Sequence, residues 1–226
     1  MSELQLRRAI CDVGHLLWQG GLINGRQGVI TARLSANKMV CTPSWESKGD
    51  LEPDELLVVS LDGASSGKSK SKGKSSIKES PEDSEHTELL IHQEIYRLRP
   101  DCDAVVQAFP PIATSLSLVG DNIPDNLLPE AAVELGSVAS VPFARAGTQD
   151  DIDLMRLYIA DHKTFLLSHR GALALGKDVY EAAYRIESLE SVAKIVMHAR
   201  LLGETRPMPS RDFDWYLKSA LNGDLG

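Results

Sequence analysis

The chain has 226 residues, 42% of them hydrophobic and 25% charged, which suits one domain, or at most two, with a substantial buried core. A formal net charge of −8 argues against broad nucleic-acid binding, because a phosphate backbone rewards clustered Lys and Arg. No apolar run approaches the roughly 18 residues of a membrane span, and the charged start MSELQLRRAI lacks an apolar signal core, so a cytoplasmic protein without membrane contact is expected.

Residues 3–20 place Leu6, Ile10, Val13 and Leu17 at helical spacing, and Gly20 with Gly21 closes that helix. GVITARL and KMVCTPS then alternate as the strands of a hairpin across the turn SANK, followed by a loop through WESKGD and a strand in ELLVVSLDG. Residues 64–84 are rich in Lys and Ser and almost free of apolar side chains. Such a segment cannot repay its ordering entropy, and it reads as a mobile loop inside the domain. TELLIHQEIYRLRP is a helix with Leu89, His92, Ile95 and Tyr96 on one face, stopped by Pro100. The strand AVVQAF follows, then a helix at IATSLSLVG, a strand at SVASVPF, a helix at QDDIDLMRLYIADH, a strand at TFLLSHRGALALG and a long helix from Asp178 to about Leu202. The alternation lacks a strict βαβ rhythm and points to a central, largely antiparallel sheet flanked by helices.

Cys11, Cys41 and Cys102 are odd in number and widely spaced, so they read as small core residues rather than a disulfide framework or a zinc-binding cluster. GKSKSKGK has the composition of a phosphate loop without its spacing or its strand-to-helix frame. Trp18, Trp45 and Trp215 have no basic surroundings and suit packing or interface roles better than base stacking.

Several stretches in order, GVITARL, CTPSWESKGDLEPDELLVVSLDG, TELLIHQEIYRLRPDCDAVVQAFPPIATSL, VPFARAGT and FLLSHRGALALGKDVYEAAYRIESLE, resemble the class II aldolase and adducin-head family. The resemblance spans residues 4–203 and implies a three-layer α/β/α domain over 1–203, assembled as a homotetramer with active sites between subunits. It also implies, for active members, a zinc ion held by a His-x-His pair and by a His before Gly, with a Glu at the start of a helix as acid and base.

Carried over residue by residue, that Glu falls on Glu88, preceded by Thr87 where the family has Ser, with His92 four residues on. The His-x-His pair falls on Gln107 and Phe109, and the third His falls on Arg170. All three imidazoles are absent, so no metal and no cofactor is expected, and Arg170 is expected to stand in the electrostatic place of the metal and neutralise Glu88. Thr42 and Ser44 keep the hydroxyls of a phosphate-cradling turn, although Trp45 replaces its Gly and Val29 replaces a substrate-holding Asn.

Two functions follow. One is a non-catalytic member with a binding, regulatory or assembly role. The other is an aldolase-like lyase on a small phosphorylated or hydroxylated carbonyl compound, with Glu88 as base and Arg170, Thr42 and Ser44 holding substrate. Glu88 serves equally well as a favourable carboxylate near a helix start, and His92 reads as a core histidine. The tail 204–226 packs either across a subunit interface or on its own subunit.

Overall fold

The computed structural model describes residues 1–61 and 87–222, and the Lys/Ser-rich loop expected at 64–84 lies outside the described residues. Helix α1 (Glu3–Gln19) starts on a capping box in which Ser2 and Gln5 satisfy each other's backbone N–H, and it buries Ile10, Val13 and Leu17. The expected hairpin forms from β1 (Val29–Ser35) and β2 (Lys38–Cys41), with β3 (Leu57–Ser60) on its outer side. Next come α2 (Thr87–Leu98), β4 (Ala104–Ala108), α3 (Pro111–Leu118), α4 (Pro129–Leu135), β5 (Val138–Val141) and α5 (Gln149–Ile159). The chain continues through β6 (Thr164–Leu167), β7 (Gly171–Gly176), α6 (Val179–Leu202) and α7 (Ser210–Asn222).

The strands make one sheet in the order β3-β2-β1-β4-β7-β6-β5, antiparallel except for the β5/β6 pair. Successive β4 side chains point to opposite faces, as the pleat requires. Val106 and Ala108 join one core with α1, α3, α4 and α6, while Val105 joins a second core with α2 and α5. The result is the expected three-layer α/β/α arrangement.

The sequence reading does not divide one strand segment, does not place α4, and leaves the packing of the tail open. TFLLSHRGALALG is two antiparallel strands, not one, because His169 at φ 62° and Gly171 at φ 79° reverse the chain between Leu167 and Gly171. The tail is helical and α7 packs against α4 of its own chain, with the Met208 N–H donating to the Asn126 carbonyl at 2.7 Å. Among the described residues no helix is long and apolar enough to cross a membrane.

Gly171 fixes where the β6–β7 turn sits. A side-chain carbon there would stand 2.2 Å from the Ala108 carbonyl, so β7 meets β4 only with hydrogen at that position. Gly171→Ala is expected to destabilise the fold by more than about 2 kcal/mol in urea unfolding, through this clash and through the positive φ.

Candidate active site

β4 ends and β7 begins at the same edge of the sheet, with Ala108 opposite Ala172 and Leu167 opposite Gly171. The tight turn after β6 therefore carries Arg170 to the end of β4, and its backbone N–H donates to the Leu167 carbonyl at 3.0 Å. The first turns of α2 and α5 close over it. They meet where Gly147, at φ 77°, lies so near Thr87 that an added side-chain carbon would come within 2.6 Å.

The Arg170 guanidinium is divided between two acids. Nη2 donates to Glu88 Oε2 at 2.5 Å, and Nη1 donates to Asp151 Oδ1 at 2.6 Å. Nη1 also approaches the Ala144 carbonyl at 3.4 Å. Asp151 sits in the first turn of α5 behind its cap Thr148, and its other oxygen accepts the Gly147 N–H at 3.3 Å. The side chains of Arg170 and Asp151 are 11% and 3% exposed, so this is a desolvated pair whose Coulomb term is weakly screened.

Burial opposes the charge on Arg170, yet the Glu88 and Asp151 carboxylates outweigh it and hold the guanidinium more firmly protonated than usual. Burial raises Asp151 above the ordinary carboxylate range, and Arg170 offsets only part of that rise. The pair alone would lower Asp151. Desolvation outweighs that pull, and the charge of Glu88 nearby adds a smaller upward push.

Gln107 lies beside this cluster on the α2 face of the sheet, 1% exposed, and its Nε2 donates to the Arg170 carbonyl at 3.4 Å. His92 Nδ1 and the Thr31 hydroxyl are 2.9 Å apart, and the same hydroxyl is 2.9 Å from the Tyr96 hydroxyl. His92 Nε2 and Gln107 Oε1 are both buried without a hydrogen bond of good geometry among the described residues, although the Gln107 amide is close enough to raise the affinity of His92 for a proton. Phe109 is half-buried, its N–H donates to the Leu22 carbonyl at 2.8 Å, and its ring lies against Gly171.

Burial pulls His92 down to about 4, against an upward pull from Glu88. The free imidazole value is about 6.5, so the unfolded chain binds a proton that the folded chain refuses. Stability present above about pH 6.5 is therefore lost as pH falls toward the folded value, by roughly 3 kcal/mol from this residue. Urea unfolding across that window measures the slope, and His92→Gln is expected to remove this contribution.

Glu88, Gln107, Phe109 and Arg170 are thus brought together as the sequence predicts, with the Arg170 to Glu88 pair in contact. Thr42 is committed elsewhere: its hydroxyl accepts the Ile30 N–H at 3.1 Å, and its own N–H donates to the Ile30 carbonyl at 3.0 Å, tying the end of β2 to β1. Ser44 is exposed on the following loop. Sequence reasoning missed Asp151, because an acidic first turn such as QDD is ordinary at a helix start. It also missed Lys48, a buried lysine whose ammonium donates to the carbonyls of Arg26, Pro43 and Glu46 at 3.0, 2.8 and 3.1 Å.

Residues 8–197 match the family described as Class II Aldolase and Adducin N-terminal domain. The chain belongs to that family. A 3-oxo-tetronate 4-phosphate decarboxylase of Pectobacterium atrosepticum is 30% identical over 211 residues, covering 91% of this chain and 88% of the relative. An L-fuculose phosphate aldolase of Methanocaldococcus jannaschii is 26% identical over 194 residues, covering 86% and 93%. Among solved structures, YgbL of Escherichia coli, described with an aldolase, epimerase or decarboxylase role, superposes with a TM-score of 0.79 at 26% identity, covering 95% of this chain and 99% of that one.

Membership in this class II aldolase family corrects the expectation of no cofactor: its aldolases depend on zinc, and zinc is what the family implies for this chain. The side chains at the three expected ligand positions do not fit that ion. An amide, a phenyl ring and a guanidinium stand there, and the guanidinium already takes up both acids within reach. Among the described residues no group of three His, Cys, Asp or Glu side chains is placed to hold a metal ion.

Proposed function

We propose that this family member is a non-catalytic binding or assembly protein, in which Arg170 keeps the carboxylate of the lyase site occupied. The observation that carries the reading is the contact of the Arg170 guanidinium with Glu88 at 2.5 Å, braced from the other side by Asp151. A base for aldol or decarboxylation chemistry must reach a proton of the substrate, and Glu88 faces the Arg170 guanidinium instead. A homotetramer in the cytoplasm belongs to the same reading, and the carbonyl phosphates named for the relatives are the first ligands to try.

One observation favours a second reading, an aldolase-like lyase with Glu88 as acid and base and Arg170 as an oxyanion donor. The Nε of Arg170 is buried without a partner among the described residues and has a hydrogen to offer. Turnover separates the two readings. Purified protein supplied with zinc is assayed on L-fuculose 1-phosphate and on 3-oxo-tetronate 4-phosphate. The expected result is no product above the buffer blank. Turnover that Glu88→Gln abolishes would establish the lyase instead.

A further inference from the structure

Gly176, the last residue of β7, pairs with Ala104, the first of β4, so this end of the sheet lies opposite the Arg170 cluster. A cavity of about 190 Å³ opens there, lined by Arg99, Asp101, Lys163, Lys177, Glu181 and Arg185 among others. Four basic side chains face two acidic ones, a local charge of +2 in a chain whose net charge is −8.

The two acids are already satisfied by their own neighbours. Asp101 takes both a 2.8 Å and a 2.7 Å bond from Arg99. Glu181 accepts from Arg185 at 2.8 Å and from the Lys177 N–H at 2.5 Å. The arginines are fixed as well. Arg99 also donates to the Ile159 and His162 carbonyls, and Arg185 donates to the Leu175 and Glu134 carbonyls.

The lysines differ. Among the described residues no hydrogen bond or ion pair within 4 Å holds the ammonium of Lys163 or of Lys177, although both residues line the cavity and are exposed at its mouth. The Lys163 backbone is pinned beside the strand end by the Leu175 N–H at 2.8 Å, and Lys177 stands just before the first turn of the 24-residue helix α6. The positive end of that helix is offset by its cap Asp178 and by Glu181 in its first turn, so the cations of the site are the side chains.

We propose that this cavity binds a phosphate group, free or as a small monoester, with Lys163 and Lys177 as its two mobile cations. The volume lies below the roughly 300–1,000 Å³ of pockets that enclose a drug-sized ligand, so it suits a phosphate head rather than a whole sugar or nucleotide. The walls are preformed by the two ion-paired arginines, which leaves only the lysine side chains to be ordered on binding. The site is independent of what happens at Glu88.

Calorimetric titration of the full chain with inorganic phosphate and with glycerol 3-phosphate, at low ionic strength, tests the proposal. Binding of either should weaken by at least about tenfold in the Lys163→Ala, Lys177→Ala double variant and stay unchanged in Lys194→Ala, an exposed lysine of α6 away from the cavity. Tighter binding of the free ion assigns the site to phosphate itself, and tighter binding of glycerol 3-phosphate assigns it to a monoester. Both lysines are exposed, so the double variant is expected to keep the circular dichroism of the parent. No binding at millimolar phosphate, binding that survives the double lysine change, or binding lost equally in Lys194→Ala would each overturn the proposal.

Discussion

Arg170→Met is expected to lower the unfolding free energy by roughly 3–5 kcal/mol, the range for breaking a buried ion pair by removing one partner. Methionine replaces much of the volume, so the loss reports charge rather than a cavity. The damage falls mainly on Asp151, whose side chain is 3% exposed and has no other basic partner within 4 Å among the described residues. Glu88 at 27% exposure recovers some water. A second change, Asp151→Asn, should therefore return a large part of the lost stability in the Arg170→Met background while costing under about 1 kcal/mol alone. Urea unfolding of the four chains measures all of this. If Arg170→Met is neutral, the guanidinium is not paired in solution.

Lys48→Met should be comparably severe, at roughly 3–5 kcal/mol, for a different reason. Lys48 is 1% exposed and among the described residues no carboxylate lies within 4 Å of it; three backbone carbonyls take its three ammonium protons. Removing the head leaves those carbonyls short of donors in a desolvated loop. The loop cannot shift outward freely, because Gly14 of α1 lies under the Lys48 carbonyl and Gly49 lies under the Trp18 ring. Lys48→Arg is expected to be damaging too, since a planar fork does not fit a cradle built for a compact ammonium. Thermal unfolding of both variants checks the expectation, and a melting temperature within a degree or two of the parent would show that the carbonyls are reached by water.

The sheet and its two helical layers were legible because each element has its own period. IATSLSLVG and the Leu6 to Leu17 stripe are helical in their spacing, and AVVQA reads as a strand buried on both faces, which it is. The reversal inside TFLLSHRGALALG was not legible. It depends on His169 adopting a positive φ, which sequence does not announce for a histidine, and on a Gly whose need is set by the Ala108 carbonyl of another strand. Helix α4 was missed because PEAAVEL has only seven residues, and α7 because its amphipathic stripe follows a Pro-rich stretch that reads as tail.

The site was legible in part for a different reason. The family resemblance, not periodicity, puts Glu88 and Arg170 in one site and so predicts a pair, and the two side chains are in contact. The share taken by Asp151 depends on where α5 starts relative to the β6–β7 turn, a tertiary fact. The chain of Tyr96, Thr31 and His92 leading toward Gln107 is likewise set by strand register, with Thr31 opposite Val105 and Gln107 opposite Val29.

The claim on which the functional reading rests is that Arg170 and Glu88 hold each other. A double-mutant cycle with Glu88→Gln and Arg170→Met, read by urea unfolding at pH 7, measures that interaction directly. A favourable coupling of at least about 1 kcal/mol is predicted, as for a partly buried charge-assisted bond. A coupling indistinguishable from zero would mean that Glu88 is free of Arg170, and would contradict the account.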